Sequence, residues 1–142
     1  MVILKEIKQY ISGYLNGEQV EYYLDGSIKN RKNYINGKIK GEANFKNEKL
    51  NGKNIDYYEN GNIKVRSSFK DGKIDGTYII YYTNGQVEVE LNYINGQAEG
   101  EYISYFKNGQ IDTKGSYKDS KKYGKWISYY ENGEVKRKTN YN

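Results

Sequence analysis

The chain has 142 residues, a length that suits one domain, and carries a net charge of +5. Apolar content is 36% and charged content 29%, a balance that points to disorder when such residues are scattered and to a patterned surface when they recur in register. Cysteine and histidine are both absent, which removes disulfides, thiolate chemistry, and the commonest metal ligand and general base near neutral pH.

The N-terminal stretch MVILKEIKQY has three apolar residues before Lys5, too few for a signal-peptide core. No segment approaches the roughly 20 apolar residues of a membrane-spanning helix. The expectation is a soluble cytoplasmic protein. Val2, Ile3 and Leu4, with Ile7, read as an apolar edge strand without charged guards. It either caps the sheet by folding over it or accepts a strand from a partner or from a second copy, giving a homodimer.

From there a 24-residue unit repeats to the C-terminus. Its signature is an aromatic pair, one residue, then Asn-Gly: YYENG at Tyr57–Gly61, YYTNG at Tyr81–Gly85, YFKNG at Tyr105–Gly109 and YYENG at Tyr129–Gly133, with YYLDG at Tyr22–Gly26 as an earlier copy. Glycines step by 11, 4 and 9 residues, as in Gly61, Gly72, Gly76 and Gly85, with Ser120 replacing the first turn glycine in the last unit. The chain divides into an N-terminal half-unit at 1–17 and full units at about 18–41, 53–76, 77–100, 101–124 and 125–142. An inserted 11-residue half-unit occupies about 42–52, because NYINGKIKG at Asn33–Gly41 and NFKNEKLNG at Asn44–Gly52 are the same half-unit twice, with Glu48 in a glycine slot.

Eight Asn-Gly and three Asp-Gly pairs mark tight hairpins between segments of period-two alternation. In Gln86–Tyr93, Val87, Val89, Leu91 and Tyr93 face one way, while Glu88, Glu90 and Asn92 face the other. A two-residue loop at Asn84-Gly85 pairs Tyr82 with Val87 and Ile80 with Val89, and sets Tyr78 opposite Leu91. That face also takes Tyr102 and Trp126, and the column Tyr10, Tyr34, Phe45, Phe69, Tyr93, Tyr117 and Tyr141. The opposite face takes Tyr22, Tyr57, Tyr81, Tyr105 and Tyr129, with Val20, Ile55, Ile79, Ile103 and Ile127. The expected fold is all-β: an elongated single-layer antiparallel meander of about twelve short strands, roughly two per unit, with no helix.

The run YYENGxIKxxxxFKDGKIDGxY at Tyr57–Tyr78 resembles the variant MORN repeat of bacterial YwqK-type antitoxin proteins. The resemblance spans nearly the whole chain. It implies an elongated, twisted sheet of hairpins that scaffolds protein contacts or, in some members, binds acidic lipids.

Charge departs from the period. Two outward positions read Lys29/Arg31, Lys64/Arg66, Glu88/Glu90, Asp112/Lys114 and Lys136/Lys138 in successive units, and residues 74–106 hold five acidic residues and no Lys or Arg. The alternatives are a solvated face with random charges and an acidic stripe that matches a partner of patterned charge. Interleaved aromatics and cations could bind nucleic acid, but the acidic stripe interrupts a phosphate track. Alternating carboxylates such as Glu88/Glu90 give no catalytic site without His, Cys or a phosphate loop, and Asp71 with Asp75 reads as turn chemistry rather than a calcium site. No catalytic, cofactor or metal residues are therefore expected. The reading is a non-enzymatic inhibitor that binds a toxin- or effector-like protein, as an antitoxin, immunity or anti-defence protein does. Its contact residues are Tyr57, Tyr81, Tyr105 and Tyr129 with Lys64, Arg66, Glu88, Glu90, Lys136 and Lys138. The alternative is a peripheral scaffold on anionic lipid or nucleic acid.

Overall fold

The structure is a computed structural model and describes residues 8–142; the expected edge strand of Val2, Ile3, Leu4 and Ile7 lies outside the described residues. Among the described residues there are thirteen strands and no helix: β1 (Tyr10–Ile11), β2 (Tyr14–Leu15), β3 (Gly17–Tyr22), β4 (Ile28–Ile35), β5 (Lys38–Lys46), β6 (Lys49–Tyr57), β7 (Ile63–Lys70), β8 (Lys73–Tyr81), β9 (Val87–Ile94), β10 (Gln97–Tyr105), β11 (Ile111–Lys118), β12 (Lys121–Tyr129) and β13 (Val135–Tyr141). Strands β3 to β13 form one eleven-stranded antiparallel sheet in strict sequence order, an open meander, and β1 and β2 pair as a separate hairpin.

Two kinds of connection alternate along the sheet. One margin carries two-residue turns with both residues in the left-handed region, such as Asn95 (φ 51) and Gly96 (φ 84), the geometry that suits the right-handed twist of the flanking strands. Ser120 (φ 62) and Glu48 (φ 60) hold the same conformation in place of glycine. The other margin corrects the expected loop at Asn84-Gly85. There Tyr82 N–H donates to Gln86 O (2.8 Å) and Gly85 N–H to Tyr82 O (2.9 Å), so three residues, Thr83 to Gly85, make the loop. Only Gly85 (φ 88) takes positive φ, as the bulge after a type I turn requires, and Asn84 instead accepts the Gln86 N–H on its side chain at 3.0 Å. Consequently Val87 pairs with Tyr81 rather than Tyr82, while the expected Ile80–Val89 and Tyr78–Leu91 pairs are present.

The inserted half-unit has a consequence for the faces. It adds one strand, β5, so β3 runs in the direction of β5 and β7, whereas its repeat equivalents β6, β8, β10 and β12 run the other way. Reversing a unit within a continuous sheet turns it over. Val20 therefore shares a row with Arg31, Ala43, Asn54, Ser67, Tyr78, Leu91 and Tyr102, and Tyr22 follows it onto that face. This corrects the assignment of Tyr22 and Val20 to the face of Tyr57. Tyr34, two residues from Lys32 on β4, correspondingly leaves the Phe69–Tyr93–Tyr117 column for the opposite face.

The core lies on the face of Tyr78, Tyr102 and Trp126. Val20, Ala98 and Trp126 are the buried apolar residues, and no side chain among the described residues is completely enclosed. Burial comes from rings laid sideways on one another: Tyr78 meets Tyr93 at 5.7 Å, and Trp126 meets Tyr102 and Tyr117 at 5.2 Å and Tyr141 at 6.3 Å between centroids. Tyr102 and Trp126 stand two strands apart, about 9.5 Å in a flat sheet. They close that distance over Gly115, where a Cβ would collide with the indole, and Trp126 Nε1 donates to Ser116 O at 3.1 Å.

Both margins are stitched from repeat to repeat. Tyr58 OH donates to Tyr81 O and Tyr82 OH to Tyr105 O, each at 2.7 Å, while Gly96 N–H donates to Ile74 O (2.7 Å) and Ser120 N–H to Ala98 O (2.9 Å). The next position in the first series is Phe106, which has no hydroxyl to offer Tyr129 O.

Two variants test this packing. Gly115→Ala is expected to expel the indole, red-shift tryptophan emission and destabilise the fold by about 1–3 kcal/mol in urea titration. Phe106→Tyr should complete the hydroxyl series and raise stability by about 0.5–1 kcal/mol, whereas Tyr82→Phe should lower it by a similar amount.

Candidate interaction face

The face opposite the core is organised by one row that crosses the whole sheet: Gln19, Lys32, Glu42, Ile55, Arg66, Ile79, Glu90, Ile103, Lys114, Ile127 and Lys138 are successive cross-strand partners. From β6 onward it alternates isoleucine with charge. The cause lies in the repeat, since each first strand supplies Ile and each second strand supplies the outward charged residue. Two residues further along β6, β8, β10 and β12 stand Tyr57, Tyr81, Tyr105 and Tyr129, and along β7, β9 and β13 stand Lys64, Glu88 and Lys136. Of the residues expected to make contact, the four tyrosines share this face with Arg66, Glu90 and Lys138, whereas the bulge that opens each second strand turns Lys64, Glu88 and Lys136 to the other side, which corrects their assignment: Lys64 lies 5.9 Å over Tyr58, Lys136 lies 5.6 Å over Tyr130, and the equivalent Asp112 accepts from the Ser104 hydroxyl at 3.2 Å. The four isoleucines and four tyrosines are half-buried, and Glu90, Lys64, Lys136 and Lys138 are exposed.

These tyrosines differ from those of the core. Among the described residues no ring–ring contact joins Tyr57, Tyr81, Tyr105 or Tyr129 to another aromatic. Cations cover two of them instead: the Arg66 guanidinium lies 5.9 Å from the Tyr81 centroid and the Lys114 ammonium 5.7 Å from that of Tyr129. On the overturned N-terminal unit the same relation puts Arg31 5.6 Å over Phe45, on the other face. At Tyr57 the corresponding residue is Glu42, which is neutralised by Lys32 (3.8 Å) and accepts from Asn30 Nδ2 (3.2 Å). Burial raises the Tyr57 phenol above its ordinary value and Glu42 adds to this, opposed by Lys32 and Arg66.

At Tyr105 the corresponding residue is Glu90. Burial raises this phenol as well, and here Glu90 and Glu101 both add to the shift. Among the described residues no ion pair involves Glu88, Glu90 or Glu101. The acidic stretch is narrower than its sequence suggests. Asp75 and Glu99 accept the backbone N–H of Asn95 (3.0 Å) and Asp119 (2.9 Å), tying turns together at the margin, Glu88 is turned by the bulge toward Tyr82, and Glu90 and Glu101 are left on the face. Thr77, Glu90, Asn92, Glu101 and Ile103 line a shallow hollow there. Sequence reasoning missed the tyrosine–cation pairing, although its signal is plain: a 15-residue spacing joins Arg66 to Tyr81, Glu90 to Tyr105 and Lys114 to Tyr129.

No group of three or more acidic, His or Cys side chains suited to a metal ion occurs among the described residues. The described residues form no helix, so none among them is long and apolar enough to cross a membrane.

A comparison with curated proteins found no match. The family model of the MORN repeat variant matches residues 15–36, 36–47, 50–71, 74–95, 98–119 and 122–142. The later segments begin every 24 residues, three residues ahead of the units numbered above, and the short match at 36–47 falls at the supernumerary strand β5. Repeats of this family are in general non-enzymatic binding modules. With six matched segments covering most of its length and an unclosed hairpin meander beneath them, the chain belongs to the MORN repeat variant family.

Proposed function

We propose that the chain is a non-enzymatic protein-binding module that docks another protein on its isoleucine face and restrains it, in the manner of a bacterial cytoplasmic antitoxin, immunity or anti-defence protein. One observation carries this reading: Tyr57, Tyr81, Tyr105 and Tyr129 stand beside four half-buried isoleucines yet make no aromatic contact, whereas the rings of the other face are used against one another. Amphipathic rings in a charged surround are the usual anchors of protein interfaces. From β6 to β13 the face spans seven strand spacings, about 34 Å, enough for a contact of standard size.

The alternative is a peripheral scaffold on anionic lipid or nucleic acid. Its support is the basic last repeat, with Lys118, Lys121, Lys122, Lys125 and Lys136–Lys138. Base stacking finds little room there, because Lys118 lies 5.5 Å over Tyr123, Lys122 4.3 Å over Trp126 and Lys136 5.6 Å over Tyr130. Protein docking is the reading preferred here.

Affinity capture from the native host with the full chain tests it. A co-purifying protein should bind on the order of tenfold or more weakly to the Tyr81→Ala/Tyr105→Ala variant, with Arg137→Ala on the opposite face as control. Binding should survive moderate salt, unlike phosphate-driven binding. Unfolding of the double variant would make these tyrosines structural and overturn the reading, as would steep loss of binding with salt.

A further inference from the structure

The repeat shows what is missing at its centre. In the flanking units a cation of the chain covers the tyrosine of the next unit, Arg66 over Tyr81 and Lys114 over Tyr129. In the central unit that place holds Glu90. Glu90 is also unlike Glu42, its counterpart before Tyr57, which has Lys32 as an in-chain partner. The middle of the face therefore combines a half-buried phenol without a covering cation, an isoleucine floor at Ile103, and the carboxylates of Glu90 and Glu101 without ion-pair partners among the described residues. On either side the sign returns to positive at Arg66 and Lys114.

Resting on the docking face proposed above, we propose that this centre receives an arginine or lysine side chain of the protein partner, seated over Tyr105 beside Glu90, with Glu101 adding negative charge from the other side of Ile103. The incoming cation occupies the position that Arg66 and Lys114 hold in the neighbouring repeats, and the aliphatic stem lies on Ile103. A ring face and two carboxylates together recognise such a group better than any one of them, since an exposed ion pair alone contributes little. The flanking cations Arg66 and Lys114 discriminate against a uniformly basic partner, so the fit is to a basic residue bordered by neutral or acidic ones.

The test titrates the full chain, followed by NMR, with an acetylated Thr-Thr-Arg-Thr-Thr peptide, the same peptide with Glu for Arg, and magnesium chloride alone. The arginine peptide should shift the Ile103 methyl and Tyr105 ring signals, and the glutamate peptide should not. Glu90→Arg supplies the missing cation from within the chain. It should weaken the arginine peptide and the captured protein at least tenfold while leaving the unfolding midpoint unchanged or raised. Glu90→Gln, which adds no bulk, should weaken both in the same direction.

Equal response to the two peptides, an equal response to magnesium, shifts confined to Tyr78 and Tyr102, or indifference to both Glu90 variants would each overturn the proposal. So would concentration-dependent self-association that Glu90→Arg abolishes, because the occupant would then be a second copy. If Tyr81→Ala/Tyr105→Ala loses the captured protein and Glu90→Arg does not, the docking face stands and the cation site falls. If neither variant loses it, both fall.

Discussion

A sheet without a second layer can bury a side chain only against its own neighbours, and the rest of this structure depends on that constraint. The 24-residue period meets it by returning aromatic rings to the same face two strands apart. Rings then bridge the strand between them, as Tyr102 and Trp126 do above Gly115. The backbone meets the same constraint at the margins, where hydroxyl and amide donors of one repeat reach carbonyls of the next. Stability in such an array is a sum over nearest neighbours, so each repeat is held chiefly by the two beside it. One face is thereby committed to holding the molecule together, and the other takes no part in that ring packing.

Strand direction explains what happens at the N-terminal end. A single supernumerary strand reverses every unit before it relative to those after it, and β5 is such a strand. The isoleucine face of the later repeats is consequently continuous with the core-type positions of the first, and Tyr22 stands apart from Tyr57, Tyr81, Tyr105 and Tyr129. The regular row of alternating isoleucine and charge begins at β6 and runs to β13.

Much of this was legible in the sequence, for physical reasons that also mark where legibility ended. Alternation fixes which side chains share a face within a hairpin, so Ile80–Val89 and Tyr78–Leu91 followed from Val87 to Tyr93 alone. The Asn-Gly signal did not distinguish a two-residue turn with two positive φ values from a three-residue loop with one, and the loop at Thr83–Gly85 was misread by one residue. The overturned first unit was implicit in the odd strand count but needed the sheet to be traced across Asn33–Gly52. Of the acidic residues in 74–106, Asp75 and Glu99 could not be separated from Glu88, Glu90 and Glu101 by composition, because only geometry shows two of them bound to turn amides. Ring coverage by cations, likewise, depends on side chains meeting across strands.

Six isoleucines within strands mark the two faces and report on the central claim that one face packs and the other binds. Ile55, Ile79, Ile103 and Ile127 lie on the proposed docking face, and Ile74 and Ile80 pair with Phe69 and Val65 on the core face. Methyl cross-saturation from the captured partner to isoleucine-labelled protein measures the division directly. Transfer to Ile55, Ile79, Ile103 and Ile127 with none to Ile74 and Ile80 is the predicted result. Transfer to Ile74 and Ile80 with the other four silent would contradict it.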